Sequence, residues 1–328
     1  MANMTPAELR ISVVICAYTE ARWDALVEAV ASVQRQVLPA HEIIVVIDHN
    51  PALLVRAERH ISGVKVVANQ QARGLSGARN SGIALAQGEI IAFMDEDALA
   101  DETWLQHLSQ GFQDAQVMGV GGAILPLWPE GRPGWFPAEF DWVVGCTYRG
   151  MPEEARPVRN LIGCNMAFRR EVFSKVGDFR HGIGRIGTLP VGCEETELCI
   201  RLRQQKPDSI LLYQPEAKVQ HRVSPNRATW KYFHSRCYAE GLSKALVARL
   251  VGAGDGLASE RSYTLRTLPQ GVLNGLAGTL TRRNPDGLRA ALAISSGLAV
   301  TTFGYIKGSL LSRKTSLQGS LEPANSSF

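Results

Sequence analysis

The sequence lacks the features that mark several classes of protein. Its 328 residues include six cysteines but no CxxC pair, so a disulfide scaffold is excluded and we expect buried, reduced thiols. No GxxxxGKS/T segment occurs, which excludes a P-loop. Charged residues make up 20% of the chain, below the usual ~25%, and hydrophobic residues make up 45%. This composition excludes a disordered chain, and the length suits one large α/β domain or two smaller ones.

Acidic residues are scarce in the C-terminal third of the chain. Residues 222–328 hold 14 Lys and Arg against 5 Asp and Glu, whereas residues 1–221 hold 21 against 26. A basic segment behind an acidic one indicates a polyanionic partner, namely a membrane surface, a nucleic acid or a phosphorylated substrate. Residues 1–10 contain neither a basic nor an apolar stretch, so we expect no signal peptide and a cytoplasmic protein.

Residues 11–122 alternate between short apolar runs and segments with helical spacing of apolar residues. Nearly continuous apolar runs are typical of strands covered on both faces, and their alternation with helices predicts βαβ units and a mostly parallel sheet. The predicted strands of this part are residues 11–17, 42–47, 64–68 and 89–94. Beyond it we predict strands at 165–169 and 210–214, and helices at 194–205 and about 226–249.

Two later segments differ in character from this alternating part. Residues 126–163 carry the aromatic anchors Trp128, Trp135 and Trp142, and we interpret them as a long surface excursion with a functional role. Residues 290–306 form an uncharged run of 17, but a spanning helix needs ~20 predominantly apolar residues. A packed or interfacial helix is therefore favoured over a membrane span.

Three consecutive carboxylates follow the predicted strand at 89–94. Asp95, Glu96 and Asp97 stand at the carboxyl end of a buried strand, where open α/β sheets bind ligands. Adjacent anions repel each other unless a cation is present, and a hard divalent ion with oxygen ligands, Mg²⁺ or Mn²⁺, removes this repulsion. A solvated acidic turn before the next helix is the alternative interpretation, and the strand context favours the metal.

Three further segments contain residues of candidate function. In GLSGARNSG, residues 74–82, glycines let the backbone approach a ligand and Arg79 suits a phosphate, although a plain loop-to-helix entry fits equally well. Glu194 and Glu195 open a predicted helix. The preference of helix N-termini for negative charge explains them, and so does a role as general base, because this position stabilises the ionised carboxylate. His221 follows a strand-like segment. A structural role is favoured for it, unless the fold brings it near the carboxylates, in which case we expect it to be a metal ligand.

In this order and spacing, the segments resemble a family 2 glycosyltransferase of the nucleotide-binding GT-A type, over residues 10–245. The resemblance is carried by VVICAYTEARWDALVEAVASVQRQ, EIIVVIDHN, GLSGARNSGIALAQGEIIAFMDEDA with its Asp-x-Asp motif, NMAFRREVFSKVGDF and GCEETELCIRL. Residues 135–150, WFPAEFDWVVGCTYRG, resemble the archaeal-type enzymes that add glucuronate to a sugar on dolichyl phosphate. We expect Trp135 and Trp142 to stack on a sugar or to cover the site. No QxxRW segment occurs, so we do not expect a processive polymer synthase.

The resemblance implies a donor site for a nucleotide-sugar, with a UDP-sugar favoured. Arg79 would lie near the diphosphate, and Asp95 would contact the ribose or a metal-bound water. Glu20 replaces the asparagine that is usual in the first loop of the family, which weakens that contact. The donor-binding residues implied in this way are Ala17, Tyr18, Glu20, Asp48, Gly74, Arg79, Asp95 and Glu96.

The resemblance also implies the metal ligands and the catalytic base. Asp97 would ligate Mg²⁺ or Mn²⁺, and His221 is the candidate second ligand. Glu195 stands where the family usually has Asp, so the base is one methylene longer here, and Glu194 is the fallback.

The implied fold is α/β of the GT-A type, a Rossmann-like, mostly parallel sheet with a helical C-terminal extension. Residues 1–225 would form the catalytic domain, with a nucleotide-sugar half at about 10–122 and an acceptor half at about 123–225. We expect a basic, mildly apolar helical extension at 226–315 and a disordered tail at 316–328.

The implied function is an inverting, metal-dependent transfer from a nucleotide-sugar to a hydroxyl of a glycan or a polyprenyl-phosphate-linked sugar, in polysaccharide or glycoconjugate synthesis. No nucleic-acid motif occurs, so the basic segment predicts contact with the inner face of the cell membrane. A sugar nucleotidyltransferase is one alternative, but it needs a basic residue in a glycine-rich first loop, where residues 17–23 offer only Arg22. A non-catalytic sugar-nucleotide-binding scaffold is the other, and intact Asp95, Asp97 and Glu195 argue against it.

Overall fold

Short apolar runs form the buried strands at the centre of the protein. The computed structural model describes residues 9–182, 192–252, 262–282 and 285–319. The strands in these ranges are β1 Ile11–Ala17, β2 Glu42–Ile47, β3 Lys65–Ala68, β4 Ile90–Asp95, β5 Ala98–Ala100, β6 Val117–Leu127, β7 Arg156–Pro157, β8 Asn165–Arg169 and β9 Ile210–Arg222.

The strands pair into one sheet in the order β3-β2-β1-β4-β8-β6-β9-β5, with β7 paired to β9. The pairings among β3, β2, β1 and β4 are parallel, as predicted, and β8 then joins β4 in an antiparallel pairing. The carboxyl ends of the four parallel strands consequently meet at one edge of the sheet, where open α/β sheets bind ligands.

Helices cover both faces of this sheet and continue beyond it. They are α1 Trp23–Gln34, α2 Pro51–His60, α3 Leu75–Leu85, α4 Trp104–Gly111, α5 Glu171–Val176, α6 Glu194–Gln205, α7 Trp230–Val251, α8 Leu268–Arg282 and α9 Pro285–Gly319. A π-helical turn, Tyr263–Thr267, leads into α8. The strand predicted at 210–214 is longer than expected, because β9 continues to Arg222 and includes His221.

Alternate residues of β1 enter two separate hydrophobic cores. Val13 and Ile15 pack in one core with Leu26 of α1, whereas Val14 packs in the other with Phe93 of β4. A strand that is buried on both faces has a nearly continuous run of apolar residues, which is why β1 could be predicted from the sequence.

Residues 126–163 are only partly the predicted surface excursion: residues 129–132 and 153–157 are exposed, whereas the aromatic residues between them pack against the C-terminal helices. Phe136 and Phe140 are buried in the main core. Trp135 stacks on Trp230 of α7 with ring centroids 4.1 Å apart, and it does not line the large cavity described below. Burial of these aromatic rings joins the sheet to α7, which the sequence pattern alone did not reveal.

Residues 290–306 lie within α9, which packs closely along α7. A Cβ atom on Gly241 of α7 would come within 2.1 Å of the Thr301 carbonyl oxygen, and one on Gly304 within 2.3 Å of the Tyr238 carbonyl oxygen. Only glycine permits such backbone contact between helices, so this part of α9 is a packed helix.

The outer part of α9 nevertheless remains apolar. Pro285–Leu310 is long and apolar enough to cross a membrane by length and composition, with 28% of the apolar segment buried inside the protein. The helix continues to Gly319, so the tail predicted at 316–328 starts inside it, and residues 320–328 lie outside the described ranges. The domain boundary predicted after residue 225 falls in the 3₁₀ turn Pro225–Ala228, and it stays a prediction.

Candidate active site

A cavity of about 1420 Å³ opens at the carboxyl ends of β1, β2 and β4. Its opposite wall is formed by α6, α7 and α9. All but one of the predicted site residues line it: Ala17, Tyr18, Asp48, Gly74, Arg79, Asp95, Glu96, Asp97, Glu194, Glu195 and His221. The exception is Glu20, which lies in a 3₁₀ turn after β1 and is not among the lining residues.

Asp48, at the end of β2, is fixed by two hydrogen bonds. Its carboxylate accepts from the Asn69 side-chain amide at 2.6 Å and from the Gly74 backbone N–H at 2.9 Å. Gly74 has a φ of +122°, a conformation that favours glycine, and this directs its N–H towards Asp48. Tyr18 is about half exposed at the rim, so its ring offers a flat apolar surface beside a fixed carboxylate.

The three consecutive carboxylates do not all point to one place. The Glu96 carboxylate binds the Arg22 guanidinium at 2.7 Å, and Arg22 also reaches Asp97 at 3.1 Å. Burial, reinforced by the negative charge of Asp97, raises the pKa of Glu96 to about 7 despite Arg22. The arginine therefore provides part of the compensating charge that the sequence interpretation had assigned wholly to a metal.

His221 lies beside Asp97, as the metal hypothesis required. The short strand β5 pairs with β9 so that Ala98 faces His221, and the Arg222 N–H donates to the Asp97 carbonyl at 2.9 Å. The His221 Nε2 atom lies 3.2 Å from Asp97 Oδ1. Burial alone would raise the pKa of the Asp97 carboxyl, but the His221 ring and the Arg22 guanidinium outweigh burial and hold it well below its usual range.

The residues around Asp97 fit a hard divalent cation. Two neighbouring ligands of an octahedral ion with bonds of about 2.1 Å lie about 3 Å apart, close to the separation of Asp97 Oδ1 and His221 Nε2. Asp95 supplies a further carboxylate, and a ring nitrogen of His221 lies within 4.8 Å of one of its oxygens. Carboxylate oxygens suit Mg²⁺ and Mn²⁺, so these residues hold suitable donors at one point of the cavity wall.

Glu194 and Glu195 occupy the first turn of α6, and the two carboxylates differ in their surroundings. Cys193, just before the helix, has a left-handed backbone with a φ of +80°, a conformation that concentrates at functional sites. Glu194 is buried and its carboxylate binds the Arg79 guanidinium at 2.9 Å. Glu195 carries no such ion pair among the described residues, and its side chain is partly exposed on the cavity wall.

The expectation that the ionised form of Glu195 is favoured at the helix N-terminus was wrong. Burial and the adjacent Glu194 charge raise the pKa of Glu195 to about 8, although Arg79 opposes this. The helix dipole is thus outweighed by desolvation and by a like charge. A base whose pKa lies near the working pH is nevertheless well suited to proton abstraction.

Arg79 is buried, and its guanidinium already lies close to acidic side chains. Besides Glu194, its guanidinium lies 3.7 Å from Asp95 and donates to the Gly163 carbonyl at 3.2 Å. In this arrangement the Arg79 guanidinium links the end of β4 to the start of α6. Its position near a diphosphate stays a prediction.

The opposite wall contains residues that sequence reasoning missed. Arg236 and Lys244 of α7 flank Glu240, with nitrogen-to-oxygen distances of 3.1 and 3.8 Å. Trp142 lines the cavity and its indole N–H donates to the Tyr263 hydroxyl at 2.9 Å, and its role in stacking on a sugar or covering the site stays a prediction. The excess of basic residues after position 221 was the one signal in the sequence for this wall.

Comparisons with known proteins find relatives over most of this chain. The sequence model of glycosyl transferase family 2 matches residues 12–177. A glucosyl-dolichyl phosphate glucuronosyltransferase of Haloferax volcanii is 30% identical over 306 residues, which is 92% of this chain and 97% of that protein.

Two solved structures share the fold. A mannosyltransferase from Pyrobaculum calidifontis in complex with GDP-Man and Mn²⁺ superimposes with a TM-score of 0.53 and 17% identity, over 90% of this chain and 87% of that one. GalNAc-T7 with UDP, GalNAc and Mn²⁺ superimposes with a TM-score of 0.51 and 21% identity, over 72% of this chain and 51% of that one. These likenesses establish the GT-A-like architecture predicted from the sequence.

Proposed function

The chain belongs to glycosyl transferase family 2, and from this membership we propose that it moves a sugar from a UDP-sugar to a hydroxyl of a lipid-phosphate-linked sugar, with inversion. It is a nucleotide-sugar glycosyltransferase; the nucleotide, the acceptor and the stereochemistry are the proposed part. The observation that carries the proposal is that Glu195, on the helical side, and the pair Asp97 and His221, at the sheet edge, line one cavity.

The donor lies at the sheet edge in this proposal. Tyr18 and Asp48 take the nucleoside, because an exposed ring and a fixed carboxylate suit stacking on a base and hydrogen bonding to its polar edge. Asp97 and His221, with Asp95 beside them, would hold Mg²⁺ or Mn²⁺, which when bound would supply positive charge to the leaving diphosphate.

Glu195 is the general base. Its carboxylate takes the proton of the acceptor hydroxyl while the oxygen forms a bond to the anomeric carbon, and the bond from that carbon to the diphosphate oxygen breaks. The nucleoside diphosphate leaves on the opposite face of the sugar, which inverts the anomeric configuration. Glu194 does not compete for the proton because Arg79 binds its carboxylate.

The acceptor enters from the helical wall. Arg236 supplies positive charge near Glu195, and Lys244 lines the same cavity, where a phosphate one sugar ring away from the reacting hydroxyl would lie. The relative from Haloferax volcanii is named for an acceptor of this kind, a glucosyl-dolichyl phosphate. We therefore assign the acceptor to the class of polyprenyl-phosphate-linked sugars.

A membrane surface is the proposed location, because α8 and α9 expose apolar side chains away from the cavity. At about 100° per residue, the exposed large apolar residues of α9 fall in a stripe roughly 60° wide. Basic residues such as Arg289 and Lys307 accompany them, as expected for a helix that lies on anionic lipid. We name this set the leucine face: Leu273, Leu276, Leu280, Leu288, Leu292, Phe303, Ile306 and Leu310.

A panel of donors tests the proposal. The purified protein is incubated with Mn²⁺ or Mg²⁺, a short-chain polyprenyl-phosphate-linked glucose, and UDP-glucuronate, UDP-glucose or GDP-mannose, and product formation is followed by mass spectrometry. We expect transfer from a UDP-sugar that requires the metal. Formation of nucleotide-sugar from a sugar phosphate and a nucleoside triphosphate would instead indicate the nucleotidyltransferase alternative, and donor binding without turnover would indicate the scaffold.

A further inference from the structure

A thiol lies among the candidate metal donors. Three possible ligand atoms lie within 4.8 Å of one another, one each from Asp95, Cys164 and His221. Cys164 and His221 are buried, whereas Asp95 is partly exposed, and all three line the cavity. Nothing in the proposed transfer chemistry uses this cysteine.

Strand pairing brings the three side chains together. Met94 of β4 pairs with Asn165 of β8, so Asp95 ends one strand at the point where Cys164 precedes the other. Asn165 is fully buried, accepts from the Trp104 indole N–H at 2.8 Å and donates to the Ala217 carbonyl at 2.8 Å. The residue next to Cys164 is thus firmly held, which keeps the thiol close to the end of β4.

The separation of these atoms suits a small ion with four ligands. Bonds of about 2.0 to 2.3 Å to a tetrahedral ion place neighbouring ligand atoms about 3.5 Å apart. Atoms that lie within 4.8 Å of one another reach that distance through small side-chain rotations. The open cavity leaves the fourth position to water or to a ligand oxygen.

The donor set is chemically different from that of a Mg²⁺ or Mn²⁺ site. Sulfur and imidazole nitrogen favour Zn²⁺ and Cd²⁺, and Zn²⁺ exceeds Mn²⁺ in affinity at a given site of nitrogen, oxygen and sulfur donors. When the ion binds, the thiol proton passes to solvent, so a thiolate and a carboxylate together neutralise the charge of the cation. His221 is shared with Asp97, so an ion held in this way would compete with Mn²⁺.

We propose that Cys164, Asp95 and His221 form a binding site for thiophilic divalent cations, which displace the hard cation at the edge of the sheet. The site makes the protein sensitive to Zn²⁺ and Cd²⁺, with Cys164 as the residue that confers the sensitivity.

Cadmium titration tests the proposal without any measurement of transfer. The full-length protein is titrated with CdCl₂ and the ultraviolet band of thiolate-to-cadmium charge transfer is followed. We expect a saturable band in the unaltered protein and binding at least about tenfold weaker in Cys164→Ser. Cys146→Ser is the matched control, because Cys146 is also buried on the cavity wall and its Sγ lies 3.8 Å from His221 Nδ1. The control is expected to keep the band.

Three results would overturn the proposal: no band in the unaltered protein, an undiminished band in Cys164→Ser, or a band that depends equally on Cys146. Cys164→Ala, compared by circular dichroism and thermal unfolding, shows whether a lost band reflects a lost ligand or a lost fold. Both variants are expected to unfold in the same temperature range as the unaltered protein.

Displacement of Mn²⁺ provides a second readout. Free Mn²⁺ is measured by electron paramagnetic resonance while CdCl₂ is added, and we expect its signal to rise at lower Cd²⁺ concentrations in the unaltered protein than in Cys164→Ser. Equal displacement in the two proteins would contradict the role of Cys164. A protein that binds Cd²⁺ through Cys164 but transfers no sugar would refute the proposed function and leave this site intact.

Discussion

The two walls of the cavity are built in different ways. At the sheet edge, short polar contacts hold the functional side chains, such as Asn69 on Asp48 and His221 on Asp97. The helical wall is held by the close approach of glycine backbones and by aromatic burial, such as Trp135 on Trp230. Polar contacts thus fix individual side chains in the first wall, whereas packing fixes whole helices in the second.

This difference predicts which substitutions affect the reaction and which affect the choice of acceptor. Changes at the sheet edge and at the start of α6 should reduce the rate of the chemical step. Changes on α7 should alter the affinity for the acceptor, and changes on the leucine face should alter only the attachment to lipid.

The largest effect is expected for Asp97→Ala. Asp97 is the proposed metal ligand and the partner of His221, so we expect transfer to fall roughly 1000-fold when its carboxylate is lost. Initial rates across a range of Mn²⁺ concentrations measure this. Asp24→Ala, at an exposed position of α1, is the matched control, and equal rates in the two variants would remove Asp97 from the site.

The next largest effect is on the pH dependence of kcat/KM. In the proposed mechanism Glu195 acts in its ionised form, and its pKa is raised to about 8, so the rate should rise about tenfold per pH unit towards pH 8 and level off above it. Glu194→Gln removes the neighbouring negative charge and frees Arg79, which lowers the pKa of Glu195. The profile of that variant should therefore shift to lower pH. A shift to higher pH, or loss of activity at every pH, would contradict these assignments.

A smaller effect, confined to the acceptor, is expected for Arg236→Gln. Without this cation on the helical wall, the KM for a polyprenyl-phosphate-linked sugar should rise about tenfold while the KM for the nucleotide-sugar stays unchanged. Arg249→Gln, exposed on the same helix, is the control. If the donor KM rises instead, the two walls do not divide their tasks as described.

The smallest effect on turnover is expected at the leucine face. The double substitution of Leu292→Ser and Ile306→Ser should weaken binding to anionic phosphatidylglycerol vesicles about tenfold in a sedimentation assay. Transfer to a short-chain, water-soluble acceptor should be unaffected. Leu85→Ser, at an exposed leucine of α3, controls for the loss of a surface leucine. Equal binding of the unaltered protein to neutral and anionic vesicles would count against the membrane proposal.

The same comparison explains how much could be predicted from the sequence. β1, β2 and β4 are buried on both faces, so their apolar runs predicted both the parallel strands and the edge where Asp48 and Asp97 lie. His221 was predicted only conditionally, because its place depends on the pairing of β5 with a strand more than a hundred residues away.

The helical wall could not be predicted in the same way. The sequence predicted an exposed loop around Trp135, because its stacking partner Trp230 is distant in sequence. The ion pairs could not be predicted either, because no local sequence pattern indicates that Arg22 binds Glu96 or that Arg79 binds Glu194. The second of these ion pairs shows which of the two glutamates is engaged by an arginine.

The central claim, that Glu195 removes the acceptor proton, is tested most directly by single-turnover transfer with saturating donor and Mn²⁺. Glu195→Gln keeps the size of the side chain but cannot accept the proton, whereas Glu195→Asp keeps the carboxylate. We predict that the Gln variant binds the donor normally and transfers about 1000-fold more slowly, and that the Asp variant recovers most of the rate. A Gln variant that transfers at close to the normal rate would contradict the account.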